Sequence, residues 1–458
     1  MEKINYSNIL ENSTKKKLLS FFIVCCFIGL SLFSCNSNEC GKPKEEPAKT
    51  CVNIDWNSDN LNNNSKNKAL VLPVYMDYQA TTPVDPRVLD EMYYVEKNFY
   101  GNANSLHKTG RDALKLVEKA RKQVADVIGA MPEEIIFTSG ATESNNLAIK
   151  GMVESYSKKT GKKHIITSMT EHACILESCK NVERYDDFEI TYLCPKENGL
   201  IDLKELEEAI KPNTLLISIM GVNNEIGVIQ DLEKIGKIAK KHGVFFHTDC
   251  AQAFGKIPLN VDKMGIDLMS ISGHKIYGPK GIGALFIRKH GKKKVELLPQ
   301  MNGGGQELGV RSGTLAVPLI VGLGKASEIM KTDFQKDMEK ISNLSEKVKN
   351  ELLKIPEAKL NGDEKQRYKG NLNFSFKGVD AYELTQNLGE KVALSIGSAC
   401  GSSHNATDSY VINAIGGGAK INGGAIRIGI GRFTTEKEID YAIKEITEEV
   451  ERQRKVGK

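Results

Sequence analysis

From Val71 onward, short apolar runs alternate with segments whose apolar residues recur every three or four positions. The runs 135–138, 164–167, 215–219, 244–247 and 268–271 are nearly continuous in Ile, Leu, Val, Phe and Met. Such runs predict parallel strands covered on both faces. Between them, Ala113, Val117, Ala120, Val124, Val127 and Ile128 share one helical face, and Leu232, Ile235, Ile238 and Ala239 share another. This alternation predicts an α/β domain around a mostly parallel sheet. Phe334, Met338, Ile341, Leu344, Val348 and Leu352 mark a long amphipathic helix, followed by shorter strands and Gly-rich loops. A domain change is therefore expected near residue 332, with a large domain over 71–332 and a smaller α+β domain over 333–458.

The first seventy residues follow a different pattern. Lys15, Lys16 and Lys17 precede an apolar stretch over 18–33, the length of a signal-peptide core and slightly short for a spanning helix. It ends Leu32-Phe33-Ser34-Cys35, which resembles the lipobox of bacterial lipoproteins. A polar, Pro- and Asn-rich tract to residue 70 reads as a disordered tether. Three readings compete: export with cleavage or lipidation at Cys35; an uncleaved anchor or organelle-targeting extension, as for a mitochondrion; or a misplaced start codon, which would leave a cytoplasmic chain. No arginine precedes Arg87, which argues against an Arg-rich transit peptide.

With 458 residues, 40% hydrophobic and 26% charged, the chain has the makings of an ordinary globular core. Disorder of the whole chain and a polytopic membrane protein are excluded. Net charge is +5, from 63 Lys+Arg and 58 Asp+Glu, too small to argue for direct nucleic-acid binding. Of ten cysteines, Cys25, Cys26, Cys35, Cys40 and Cys51 fall in the leading tract. None forms a C-x-x-C pair or has zinc-ligand spacing, so no metal site is predicted. The rest are scattered, and most are expected to be buried thiols.

Five segments carry candidate chemistry. In Phe137-Thr138-Ser139-Gly140-Ala141-Thr142-Glu143 a strand ends, a glycine permits a tight turn and a helix begins, which suits a phosphate; Thr142 as a plain N-cap is the alternative. In Ser270-Ile271-Ser272-Gly273-His274-Lys275 a lysine follows an apolar strand, where partial drying would make its amine nucleophilic. Ser272 and His274 could add phosphate donors, and here the chain looks like a pyridoxal-phosphate enzyme of the type I aminotransferase fold. In His247-Thr248-Asp249-Cys250-Ala251-Gln252 an aspartate at a strand end could pair with a pyridinium nitrogen or cap a helix. In Thr170-Glu171-His172 a histidine sits at a strand–helix turn, able to stack on a ring and move protons, or simply to cap. Last, Ser395 to His404 surrounds Cys400 with small polar residues, and the stretch to Gly418 reads as a mobile loop in which Cys400 is reactive.

The stretches MDYQATTPVDPRV, FTSGATESNNLAIKG, TEHACILES, VNNEIGVIQD, SISGHKIYGPKGIGALFIR, RSGTL, SIGSAC and GRFTTEKEIDYA together resemble the cysteine desulfurases of the NifS/IscS family. These enzymes supply sulfur for iron–sulfur cluster assembly and tRNA thiolation. The resemblance spans about 72 to 450 and is closer to the IscS type than to the SufS type. It implies a pyridoxal 5′-phosphate cofactor covalently held by Lys275, which also shuttles the Cα proton of L-cysteine. Asp249 then pairs with the pyridine nitrogen, Gln252 contacts the phenolic oxygen and His172 stacks on the ring. Ala141, Thr142, Ser272 and His274 hold the phosphate. Thr314 reaches the phosphate of a neighbouring subunit, implying a homodimer. Asn224 and Arg427 bind the substrate carboxylate. Cys400 takes the sulfur as a persulfide and is a candidate ligand for a nascent iron–sulfur cluster, while alanine leaves.

Departures stand beside the resemblance. The family's G-G-G-H-E-R-G reads Gly303-Gly304-Gly305-Gln306-Glu307-Leu308-Gly309 here, and Cys400 is followed by Gly401 where the IscS type usually has threonine. IscS-type chains usually continue into a tail that docks the cluster scaffold; no such tail is expected after Lys458, which leaves the acceptor protein open. A selenocysteine lyase is the nearest alternative enzyme. A retired scaffold relative and an ordinary aminotransferase are the others.

Overall fold

The structure is a computed structural model that describes residues 70–291, 293–397, 409–416 and 424–456. The apolar stretch, Cys35 and the tether, as well as Cys400, lie outside the described residues. Strand β1 (Val74–Tyr75) is followed by helices α1 (Pro86–Asn98) and α2 (Lys108–Ile128). The alternating region then runs β2 (Ile135–Thr138), α3 (Ala141–Thr160), β3 (His164–Ser168), α4 (Ala173–Asp186), β4 (Glu189–Leu193), α5 (Leu203–Glu208), β5 (Thr214–Ser218), α6 (Leu232–Lys241), β6 (Phe245–Asp249), β7 (Leu268–Ser272) and β8 (Gly283–Ile287). Helix α7 (Val317–Leu352) leads to β9 (Ala358–Leu360), β10 (Asn371–Phe376), α8 (Ala381–Leu388), β11 (Val392–Ala393), α9 (Tyr410–Ala414), β12 (Ile426–Gly429) and α10 (Glu436–Val456).

All five apolar runs lie in one sheet of order β2-β8-β7-β6-β5-β3-β4. Its pairings are parallel from β4 through β7, and β8 is antiparallel to both of its neighbours. Strands β3, β5 and β7 are buried along their whole length because helices cover both faces. Apolar continuity did not reveal β4 or β8. Strand β4 is an edge strand exposed at its start, and β8 opens on a glycine.

Helix α2 buries Ala113, Val117, Ala120, Val124 and Ile128 and stops at Gly129, whose left-handed φ of 69° suits a residue without Cβ. Helix α7 begins well before Phe334. Its first half is rich in small residues, so it lacks a conspicuous amphipathic period. Gly324 lies against α2 so closely that a Cβ would meet Ala120 Cα at 2.6 Å. Val317, Ile320, Leu323 and Ile329 pack in the core of the large sheet, whereas Ile341, Leu344, Val348 and Leu352 pack in a second core. That second core also holds the antiparallel sheet β12-β10-β9 and takes in Val74 and Met76 beside β1, which pairs with β11.

The reading of Ser395 to Gly418 as a single loop is corrected. Helix α9 interrupts it, capped by Ser409, whose hydroxyl accepts from the Ile412 amide. Val411, Ile412 and Ile415 are close enough in sequence to share one face, and they bury against Ile226 and Val228.

Candidate active site

Five strands of the large sheet, β2, β3, β5, β6 and β7, deliver residues to one place, the edge where their C-terminal ends leave the sheet. Ligands of open parallel sheets bind in this position, because the turns there face neither covering helix layer. A cavity of about 430 Å³ opens at this edge. It is lined by Ala141, Thr142, His172, Asn224, Asp249, Gln252, Ser272, His274, Lys275 and Arg427, along with Gln79, Ala80 and Cys174. Ten of the twelve residues singled out from the sequence therefore meet in one cavity. Thr314 is exposed and does not line it. Cys400 lies outside the described residues.

The turn after β2 is shaped by a close backbone approach. Gly140 has φ of 152°, and the next strand comes so near that a Cβ on Gly283 would meet Gly140 Cα at 2.7 Å. Helix α3 starts immediately, with Gly140 rather than Thr142 as N-cap. Thr142 is thus a first-turn residue whose hydroxyl is not consumed by capping. The first amides of α3 and the helix dipole make this edge suitable for an anion. Arg311 ties the loop bearing Thr314 to the same helix end through Glu143, at 2.8 Å.

Asp249 ends β6 and is buried. The Ala251 amide donates to its Oδ1 at 2.8 Å, and Asn145 Nδ2 donates to Oδ2 at 2.7 Å. The same Asn145 Nδ2 lies 3.1 Å from Cys174 Sγ, which is 3.0 Å from His172 Nδ1. His172 caps α4, its Nδ1 accepting from the Cys174 amide at 3.3 Å. Nδ1 is thereby the acceptor nitrogen, which puts the proton of a neutral ring on Nε2. A half-buried thiol thus joins the histidine to the aspartate's support. The expectation of buried thiols holds for Cys179 and Cys250, not for Cys174 or the exposed Cys194.

Lys275 closes the short turn after β7, and its Nζ donates to the carbonyls of Gln79 at 2.6 Å and Ala80 at 2.8 Å. His274 Nδ1 lies 3.1 Å from Thr81 Oγ1. Burial, with Lys275, Lys280 and Lys256 nearby, lowers the His274 pKa to about 4, so the ring is neutral at pH 7. Arg427 of β12 is fully buried and crosses to the large sheet's edge, where Nη1 donates to the Asn224 carbonyl at 2.9 Å. Asn224 Oδ1 is buried without a partner among the described residues.

Sequence reasoning missed several parts of the site. Gln79 supplies the carbonyl that Lys275 and Gln252 share. Glu171 is completely buried; burial pushes its carboxyl well above the usual range, and its Oε1 accepts from the Met220 amide at 2.7 Å. Lys256 is buried behind Gln252. Both Gln79 and Glu171 lie in the motif stretches, but nothing local distinguishes either residue from its neighbours.

Comparison with known proteins agrees with this geometry. The class-V aminotransferase profile matches residues 74–442. The chain is 53% identical over 398 residues to the cysteine desulfurase IscS of Rickettsia prowazekii, covering 86% of this chain and 95% of the relative. It is 52% identical over 387 residues to the human cysteine desulfurase, covering 84% and 83%. Among solved structures, a NifS-like protein superposes with a TM-score of 0.76 at 38% identity, covering 82% of this chain and 98% of that one. SspA in complex with cysteine superposes with a TM-score of 0.67 at 41% identity, covering 79% and 99%. A lysine and a carboxylate converging from adjacent strand ends, on this fold and at this similarity, place the chain in the class-V aminotransferase family, among its cysteine desulfurases.

Proposed function

We propose that the cavity holds pyridoxal 5′-phosphate and that this chain releases alanine from L-cysteine, keeping the sulfur as a persulfide on Cys400 for iron–sulfur cluster assembly and related acceptors. The observation that carries this reading is the convergence of Lys275 and Asp249 on one cavity beside the start of α3. The residues suit the group. The volume accommodates a substituted pyridine and an amino acid together, the Gly140–Gly283 approach leaves backbone amides open to a phosphate, and the carboxylate of Asp249 is already oriented by two donors.

When bound, the cofactor withdraws electrons from the substrate's Cα and makes its proton removable. The chain's own residues do the rest. Ala141, Thr142, Ser272 and His274 hold the phosphate, with the helix end favouring its charge. Asp249 keeps a proton on the ring nitrogen, His172 covers the ring face and Gln252 donates to the ring oxygen. Arg427 and Asn224 receive the substrate carboxylate, for which the guanidinium fork is matched in shape. Lys275 would hold the cofactor through its side-chain amine and, once freed, move the Cα proton. The substrate's carbon–sulfur bond breaks as Cys400 sulfur bonds to the departing sulfur. One proton passes to the methyl carbon, and one remains with the persulfide or solvent. Carbon is reduced by the electron pair that sulfur gives up, so no outside oxidant enters. Thr314, exposed on a loop tied to α3, is positioned to serve a second subunit, and the working unit is a homodimer.

Cys400→Ala tests this reading directly. The purified variant should keep its visible cofactor absorbance and lose alanine release from cysteine, whereas Lys275→Ala should lose the absorbance itself. Alanine release that survives undiminished in Cys400→Ala removes Cys400 from the reaction.

A further inference from the structure

Behind the cavity lies a lysine that the reaction as described does not use. Lys256 follows β6, is only 4% exposed, and sits over the ring of Tyr368 at 5.4 Å. Among the described residues no carboxylate lies within ion-pair distance of it. Its ammonium donates instead to Gln252 Oε1 at 2.9 Å. Gln252 in turn donates from Nε2 to the Gln79 carbonyl at 2.8 Å, and Lys275 donates to that same carbonyl at 2.6 Å. The two contacts of the amide agree on its orientation. Turned over, it would set an NH₂ against an ammonium and an oxygen against a carbonyl.

A buried cation without a counter-ion is costly, and replacing buried charges by apolar groups is often neutral or stabilising. Lys256 therefore contributes little to folding that a methionine could not. What a methionine could not supply is a strong donor to Gln252 Oε1. Such a donor polarises the amide and strengthens Nε2–H. The charged groups acting on Lys256 are Lys275 on the turn after β7 and Arg427 on β12, while Tyr368 and Tyr277 lie in the neighbouring core. Burial and the two cations bring the Lys256 pKa down to about 7.

We infer that Lys256 is a positioning residue: it locks the Gln252 amide with Nε2 turned into the site, and through that amide it tunes the nitrogen of Lys275 and the cofactor oxygen assigned to Gln252. This rests on the proposed cofactor reading.

The test is the pH titration of the visible absorbance of purified holoenzyme, with thermal melting alongside. Lys256→Met should melt no lower than the parent. Its titration midpoint should rise by about 0.5–1 unit, because a less polarised Gln252 Nε2–H leaves the shared Gln79 carbonyl a stronger acceptor for the protonated nitrogen at Lys275. Cofactor should dissociate roughly three- to tenfold more readily, on the scale of one weakened ordinary hydrogen bond. In a Gln252→Leu background the same substitution should move the midpoint by less than half as much. An unchanged midpoint, or a full-sized shift without Gln252, overturns the inference. Should Lys256→Met fail to fold, Lys256→Gln, which keeps a neutral donor, is read by the same midpoint. A parent protein that shows no visible absorbance with added cofactor would instead defeat the cofactor reading.

Discussion

Arg427, which lines the cavity, and Asp77, 350 residues apart in the chain, form a 3.0 Å ion pair. Asp77 Oδ1 also accepts from the Ser395 hydroxyl at 2.9 Å, so the pair joins the segment just after β1, β12 and the segment leading to Cys400. The guanidinium is thereby held in one orientation before any substrate arrives.

Arg427→Lys keeps the charge but loses the fork that spans Asp77 and the Asn224 carbonyl. KM for cysteine should rise about tenfold or more, with a smaller fall in kcat. Steady-state kinetics on a variant shown by melting to be folded decide the matter; an unchanged KM would remove Arg427 from carboxylate binding.

Gly283→Ala puts a methyl 2.4 Å from the Ile271 carbonyl and 2.7 Å from Gly140 Cα. Both are backbone atoms, so the turn that opens α3 must shift. Overpacking of this kind costs about 1–3 kcal/mol. Cofactor affinity should fall more than stability, as read by equilibrium dialysis of the cofactor against a denaturant melt.

Glu307 is the residue of the altered glycine-rich stretch that bears structural weight. Both its oxygens accept from Arg121 at 2.8 Å, and Oε2 also accepts from the Phe137 amide at 2.7 Å, one residue before Thr138 ends β2. Glu307→Ala leaves the Arg121 guanidinium with only the half-exposed Glu118 carboxylate and the Ile135 carbonyl, and should cost about 3 kcal/mol in denaturant unfolding, the lower end for a broken buried pair. Pairing it with Arg121→Met should recover most of that loss. The neighbouring Leu308 is 67% exposed, so the missing arginine of the family stretch leaves this buried pair untouched.

His247 is fully buried between the Ser218 and Ser270 hydroxyls, and burial lowers its pKa to about 3. The unfolded chain takes up this proton near pH 6.5 and the folded chain does not. The neutral ring's contribution is complete above about pH 6.5 and is lost progressively as pH falls toward the folded value. Between pH 7 and 5 this one group should remove about 2 kcal/mol. His247→Asn should flatten that part of the stability–pH curve by a similar amount, measured by urea unfolding at both pH values.

Burial by neighbouring layers writes itself into local periodicity, so the five apolar runs, the face of α2 and the residues just past each strand end were legible in the linear chain. The gathering of the candidate residues was legible too, because a lysine, an aspartate, a histidine and a glycine turn each sit at a strand terminus, and parallel strands bring their termini to one edge. Strands β4 and β8 were not, since an edge strand and a glycine-led strand lack the continuous apolar run that two covered faces demand. Nor was α9, hidden in a stretch dominated by small residues. Only the folded chain decided that Arg427 meets Asp77, that the Gln79 carbonyl serves both Lys275 and Gln252, and that Lys256 stands behind them bonded to Gln252. Those pairings depend on where backbone segments hundreds of residues apart come to rest, and no spacing along one segment carries that information.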